Sequence, residues 1–492
     1  MTLAQYPLPA SGPEPARNDP AEELYRRQRI AHWDEVARRW RRHRGLGGAY
    51  HRRLERVYRF LVPPGARVLE LGCDRGDLLA ALEPAVGVGI DFSGKMVRQA
   101  AERHPHLRFI EADAHAIGQL GETFDAIILS DLINDAWDVQ RLLAAILPLT
   151  TRRTRVILNV YSRLWELPLA LAQRLGLARP VLYQNWLTVA DVENLLHLAG
   201  FQPIRHWQEV MLPLPLPLLA PLCDRFLVKL WPFKHLALAN FLVARPARAP
   251  LPEEPAVSVV VPARNEEGNI ANILARVPDM GAGTELIFVE GHSSDGTWDA
   301  IQLQMAAHPE RRAKAFRQTG KGKGDAVRLG FSQASGDVLM ILDADLTVPP
   351  EDLPRFYEVI RSGQGELVNG VRLVYPMEKQ AMRFANLLGN KFFSLAFSWL
   401  LGQPIKDTLC GTKVLRKPDY DTLAANRAYF GDFDPFGDFD LLFGAARMSL
   451  EIVEVPARYR ERTYGTTNIQ RWRHGWLLLE MCLFAAGRIK FV

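Results

Sequence analysis

Short, continuous apolar runs of strand length recur along the chain, with helical segments between them. RVLELG (67–72), VGVGID (86–91), RFIEAD (108–113), FDAIILSD (124–131) and RVILNVY (155–161) form one set. AVSVVVPA (256–263), TELIFVEG (284–291), KAFRQ (314–318), DVLMILDAD (337–345) and ELVNGVR (366–372) form a second. Their alternation with helices predicts α/β architecture, and the continuous apolar run VLMIL (338–342) predicts a buried strand. The stretch ARPARAPLPEEPA, 244–256, is rich in Pro, Ala and charge and interrupts the pattern. Two α/β domains are therefore expected, at 21–245 and 257–492, joined by a linker at 246–256. A polar, Pro-rich tail over 1–20 is expected to be disordered. QNWLTVADVENLLHLAGF, 184–201, reads as the helix before the last strands of the first domain.

Composition narrows the class without naming it. The chain has 492 residues, 48% hydrophobic and 23% charged, with net charge +5. Twelve of its arginines fall between residues 21 and 60, interleaved with Trp33, Trp40 and Tyr58. That segment reads as a solvated helical face or as a surface for anionic lipid or phosphate. No zinc finger, helix-turn-helix or RNA-binding signature accompanies it, so nucleic acid is not an expected partner. The four cysteines, Cys73, Cys223, Cys410 and Cys482, lie far apart with no CxxC pair, which fits a reducing cytoplasm. No stretch offers eighteen clean apolar residues; the nearest, LPLPLPLLAPLCDRFLVKLW (212–231), is broken by prolines and by Asp224, Arg225 and Lys229. FFSLAFSWLLG (392–402) and WLLLEMCLFAAG (476–487) are shorter and flanked by basic residues. They read as core helices or as helices lying in a membrane interface.

In the first domain, VLELGCDRGDLLAAL (68–82) is a strand, a turn with Gly72 and Gly76, and a helix. Glycines there let the backbone approach a ligand at an electropositive helix N-terminus. Asp91 and Asp113 end the next two strands. One carboxylate suits two ribose hydroxyls, and the other an adenine amino group. Singly each acid could be a helix cap; with Glu70 at the end of the first strand, three at successive strand ends are harder to explain that way. Over about 60–245 the chain resembles the class I S-adenosylmethionine-dependent methyltransferases. The resemblance implies a Rossmann-like domain in which Glu70, Gly72 and Gly76 line the methionine part of the cofactor, Asp91 the ribose and Asp113 the adenine. It departs from the family at Asp74, where a third glycine is usual. Asp131, Asp135 and His115 have no spacing that separates them from loop residues.

The second domain poses a sharper question. DVLMILDADL ends a buried strand in two carboxylates, Asp343 and Asp345, with only Ala344 between them. Close anions repel and are costly to desolvate. A hard divalent cation, Mg²⁺ or Mn²⁺, between them would offset the cost and leave coordination sites for a diphosphate. The strand before Pro262, Asn265 and Glu266, and the strand ending in Glu290, supply acids and hydroxyls where a nucleoside could be read. GKGKGDAVRLGF (320–331) offers Lys321 and Lys323 in a glycine-rich turn suited to phosphate. Together with KDTLCGTKVLRK (406–417), FGDFDLLFGAARM (436–448) and VPARYRERTYGTTN (455–468), this set resembles the family 2 glycosyltransferases of the GT-A fold. Among them it looks closest to enzymes that load a sugar onto a polyprenyl phosphate. The resemblance implies metal and diphosphate at Asp343 and Asp345, and the nucleotide at Pro262, Glu266 and Glu290. It puts Asp407 near the reacting phosphate and acceptor or donor phosphates at Lys413 and Arg462. Glu290, Gly291 and His292 stand where many relatives carry paired aspartates, which leaves UDP and GDP sugars open.

The expected activity is transfer of a sugar from a nucleotide-sugar to polyprenyl phosphate with inversion, beside methyl transfer from S-adenosylmethionine. A phosphate oxygen is already anionic, so it needs cations such as Lys413, Arg460 and Arg462 rather than a strong base. Many relatives add transmembrane helices after this region; a chain ending at Val492 is expected to be peripheral on the cytoplasmic face of a membrane. The competing expectation is another lipid or polymer acceptor, with the first domain a non-catalytic scaffold.

Overall fold

The structure, a computed structural model, describes residues 19–39, 47–175, 181–247, 250–251, 253–372, 384–429, 437–460, 462, 464 and 471–492. Residues 1–18 of the expected tail, and Lys379 and Arg383 beside the first late apolar run, lie outside the described residues. The chain divides into two compact units, Met1–Ala247 and Arg248–Val492.

The first unit is built on β1 (Arg67–Leu71), β2 (Val86–Asp91), β3 (Arg108–Glu111), β4 (Phe124–Ser130), β5 (Thr150–Tyr161), β6 (Phe201–Glu209) and β7 (Ala239–Pro246). Their order is β3-β2-β1-β4-β5-β7-β6, parallel except for β7. The continuous apolar runs serve two cores. Ile127 and Leu129 of β4 pack into one layer, Ala126 and Ile128 into the other. β7 runs through Ala244 and Arg245 to Pro246, so the first residues of the Pro/Ala stretch are sheet. Their ladder to β6 carries them: Ala244 lies opposite Pro203 and Pro246 opposite Phe201.

The second unit uses β8 (Val257–Ala263), β9 (Thr284–Glu290), β10 (Arg312–Arg317), β11 (Val338–Ile341), β12 (Leu367–Val371), β13 (Lys413–Arg416) and β14 (Ile452–Pro456). The order is β10-β9-β8-β11-β13-β12-β14, with β13 antiparallel to both neighbours. Again one strand feeds two cores: Leu339 and Ile341 of β11 face one, Val338 and Met340 the other. Both units are α/β, and both sheets are mixed. In each, the parallel strands end along one edge, the place where open α/β sheets bind ligands.

Candidate functional site

At that edge of the first sheet, β1 passes into a turn where Gly72, Asp74 and Gly76 have φ of 69°, 49° and 71°. A Cβ on Gly76 would come within 2.5 Å of the Phe109 ring, so glycine is needed for the turn to pass over β3. Asp74 takes the left-handed conformation that a glycine would adopt freely; aspartate is among the few residues that tolerate it. Glu70 is buried, and its carboxylate accepts the Leu79 amide at 3.1 Å. Burial raises its pKa well above the usual range. Its carboxylate thus fixes the helix Asp77–Ala81 against β1 rather than standing in an open pocket.

Asp91 ends β2 and accepts the amides of Asp74 (3.1 Å) and Ser93 (2.8 Å), one on each oxygen. Burial, with Asp74 acting in the same direction, raises its pKa to about 7. Asp113 caps the short helix Ala114–Gln119, accepting the His115 amide at 2.9 Å and lying 2.7 Å from its ring Nδ1. Burial would raise its pKa, but the bonds from His115 carry it below the usual range. The helix-cap alternative therefore holds for Asp113. Asp131, passed over in the sequence, sits in a polar cluster: Tyr50 donates to it at 2.7 Å, and Asn159 joins it to the Tyr58 hydroxyl. Burial raises Asp131 to about 6.

The arginine-rich N-terminal segment is not simply a solvated face. The helix Pro20–Arg39 lies against this same acidic edge. Its Arg29 is buried on Asp135 at 2.7 Å, its Asp34 accepts from Ser93 at 2.6 Å, and its Arg26 lies 3.9 Å from Asp113. Arg53, from the next helix, is buried on Glu209 at 2.8 Å. These partners are remote in sequence, so charge density alone did not reveal them.

In the second unit, each aspartate of the pair has its own cation. Lys323 Nζ lies 2.6 Å from Asp343, and Arg462 lies 2.7 Å from Asp345 while its other nitrogen donates to Glu266 at 3.0 Å. The Thr347 hydroxyl donates to the second oxygen of Asp345 at 2.8 Å. Burial would raise the Asp343 pKa, but Lys323, helped by Arg372 and Lys413, holds it below the usual range. A Cβ on Gly411 would fall 2.1 Å from an Asp343 oxygen and 2.2 Å from Lys323 Nζ, so only a bare backbone fits beside this ion pair. Glu266 is raised to about 7, by burial first, with Arg462 opposing. Pro262 lies on β8 opposite Val289, and Glu290, at the end of β9, is buried and accepts the Ser293 amide.

Two expected roles change. Asp407 is fully buried and holds Arg372 in a bidentate pair at 2.7 and 2.8 Å, and it also accepts from Asn390 and the Leu409 amide. Both of its oxygens are engaged by these donors. Lys413 is fully buried because it opens β13 between β11 and β12, and it donates to the Cys410 carbonyl. It reaches Asp343 through its field rather than by projecting to solvent. Arg372 itself was missed. The only signal was its position at the end of ELVNGVR, one residue past β12. Among the described residues, no three His, Cys, Asp or Glu side chains converge as a metal cage.

Residues 258–423 match the glycosyl transferase family 2 model, and residues 68–151 match a methyltransferase domain model. The chain joins a methyltransferase domain to a family 2 glycosyltransferase domain. Its relatives include a dolichol-phosphate mannosyltransferase of Pyrococcus furiosus, 30% identical over 46% of this chain and 64% of that protein. An undecaprenyl-phosphate mannosyltransferase of Micrococcus luteus is 28% identical over 43% of this chain and 87% of that protein. The chain thus spans under two thirds of the Pyrococcus relative's length. A solved glucosyl-3-phosphoglycerate synthase of Mycobacterium tuberculosis aligns over 48% of this chain and 80% of its own, at 21% identity and a TM-score of 0.35.

Proposed function

We propose that the glycosyltransferase domain moves a sugar from a nucleoside diphosphate to a polyprenyl phosphate, and that the methyltransferase domain uses S-adenosylmethionine. The observation that carries the first reading is the pairing of Asp343 and Asp345 with separate cations at the carboxyl edge of the sheet. Once phosphate oxygens draw Lys323 and Arg462 away, the two carboxylates would offer hard oxygen ligands suited to Mg²⁺ or Mn²⁺. Bound there, the ion would supply positive charge to the departing diphosphate.

The remaining work falls to the chain's own groups. Lys323 and Arg462 neutralise the aspartates in the resting site and stand where they can exchange carboxylate for phosphate oxygens. Arg372, fixed by Asp407, and the buried charge of Lys413 add positive potential for a second anionic substrate. Such a site brings two phosphate-bearing molecules together without a general base, because the attacking phosphate oxygen is already ionised. Attack opposite the leaving diphosphate would invert the anomeric carbon. Pro262, Glu266 and Glu290 line the approach proposed for the nucleoside.

A polyprenyl tail needs an apolar surface. The helices Phe384–Leu401 and Arg471–Ala485 each bury one face, with Phe397 and Met481, and expose another, with Leu395 and Leu483. Lys490 lies 5.3 Å over the Trp399 ring beside them. No described helix is long and apolar enough to cross a membrane, which favours contact at the surface. In the first domain, each Asp91 oxygen has accepted one amide and retains acceptor capacity for a ribose hydroxyl. The cofactor would supply the electrophilic methyl group.

The test is incubation with Mn²⁺ or Mg²⁺, polyprenyl phosphate and a panel of nucleotide sugars, with sugar transfer to lipid as the readout and Asp345→Asn as control. Transfer lost in the variant supports the reading. Release of nucleoside diphosphate without glycolipid, for every donor, rejects polyprenyl phosphate as the acceptor. Calorimetric titration with S-adenosylmethionine tests the first domain separately.

A further inference from the structure

The methyltransferase domain carries a surface whose polarity is reversed. Two segments form it: the short helix Glu166–Arg174 with its flanks, after β5, and the long connection between β6 and β7. Leu167, Leu218 and Trp231 are 81%, 87% and 78% exposed, and Leu171, Leu175 and Phe233 are exposed beside them in sequence. The Trp165 indole donates to the Leu236 carbonyl at 3.0 Å, and the Ser162 amide to the Leu238 carbonyl at 2.7 Å, so the start of the first segment is tied to the end of the second.

Two charged groups of the β6–β7 connection, Asp224 and Lys229, point inward instead. Asp224 accepts the amides of Met211 and Leu212, both at 2.7 Å. Lys229 is buried, pairs with Glu209 and donates to the Gln208 carbonyl at 2.9 Å. Glu209 in turn holds the buried Arg53. A connection anchored by buried charges while its leucines and tryptophan face outward is a built apolar surface, not a loose loop.

Charge selects what covers it. Arg163, Arg174 and Arg225 are exposed within the same segments, with Glu166 the one partly exposed acid among their described residues besides the tied Asp224. Exposed leucine and tryptophan with arginine in the same segments match an acyl layer beneath anionic headgroups. Location adds a second argument. Tyr161, the end of β5, and Glu209, the end of β6, both lie opposite Ala239, so both segments leave the sheet at the edge that carries Asp91 and Asp131.

We propose that this face seats the methyltransferase domain on an anionic bilayer. The methyl acceptor would then be met at the lipid surface, a consequence that rests on the methyltransferase reading; the docking itself does not.

Because the glycosyltransferase domain also exposes apolar helices, the test needs a local readout. The full chain is mixed with phosphatidylcholine vesicles, with and without phosphatidylglycerol, some carrying bromine on their acyl chains. The difference in emission between wild type and Trp231→Phe reports Trp231 alone. Quenching of that difference by brominated lipid, stronger with phosphatidylglycerol, is expected. The triple variant Leu167→Glu, Leu218→Glu, Trp231→Glu should bind such vesicles about a hundredfold more weakly. Its far-ultraviolet circular dichroism checks that the variant is folded, while S-adenosylmethionine titration of the wild type tests the methyltransferase reading independently. Unquenched Trp231 on bound protein overturns the proposal. So does a folded triple variant with wild-type vesicle affinity and an altered sedimentation coefficient, which would mean that protein covers the face.

Discussion

The two domains put acids at the same place, the carboxyl edge of a largely parallel sheet, and solve the resulting electrostatics in opposite ways. In the methyltransferase domain, Glu70 and Asp91 are held by backbone amides, and burial raises both pKa values. In the glycosyltransferase domain, Lys323 and Arg462 sit on Asp343 and Asp345, and Asp343 is held below the usual range. An amide-held carboxylate near neutrality suits a ligand that offers hydroxyl donors. A carboxylate pair surrounded by cations suits a metal ion and phosphates. The difference lies in the partners, since the acids and their place in the fold are alike.

The strongest break of this contrast is Asp345→Asn. It should lower sugar transfer about a thousandfold, the scale expected when a charge-stabilising group is removed from a reacting centre. S-adenosylmethionine affinity should stay unchanged. Initial rates at saturating donor and a titration on the same preparation check both.

Asp407→Ala comes next. Removing one partner of a buried ion pair costs about 3–5 kcal/mol, because Arg372 is left buried and unneutralised. Denaturant unfolding of the second unit should show that loss along with lost transfer. An Asp407 acting directly on substrate would instead lower the rate and leave stability near wild type.

These two residues also show how far sequence alone could reach. The aspartate pair was legible because both carboxylates end one apolar strand, so their proximity is local. The roles of Asp407 and Lys413 were not, because each depends on a partner brought in by another strand: Arg372 after β12 for the first, the neighbours of β13 for the second. β1 to β5 and β8 to β12 were legible as short apolar-rich runs; β14, though parallel to β12, was not. Nor was β6, because FQPIRHWQE is an edge strand with seven of its nine residues partly or fully exposed. β13 is only four residues long, too short to stand out as a strand within KDTLCGTKVLRK. The buried arginines at 29 and 53 were hidden in the same way, behind acids more than a hundred residues away.

Asp91 sharpens the contrast through pH. Its carboxylate must be ionised to accept two hydroxyls, so S-adenosylmethionine affinity should rise through pH 7 and fall about tenfold per unit well below it. Stability runs the other way. The folded pKa is raised, so the group's contribution is fully present below the unfolded value of about 4 and is lost as pH rises through 7. Asp91→Asn should weaken binding at pH 8 by about ten- to a hundredfold and flatten the profile. Titrations at three pH values on wild type and variant separate these outcomes.

The smallest effect tests whether Asp74 spoils the cofactor turn. Its φ of 49° is a conformation glycine adopts without penalty, and its charge is one cause of the raised Asp91 pKa. Asp74→Gly removes both. Relief of the backbone strain should stabilise the domain by about 1 kcal/mol, partly offset by the greater freedom of glycine in the unfolded chain. Loss of the negative charge should shift the pH profile of S-adenosylmethionine binding to lower pH. If the aspartate merely occupies a glycine position, affinity at pH 8 should change by no more than a few-fold, because the Asp74 amide that binds Asp91 is kept. A large gain in affinity would instead mean that the side chain crowds the cofactor, and that the amide-held site is held in check by a third acid.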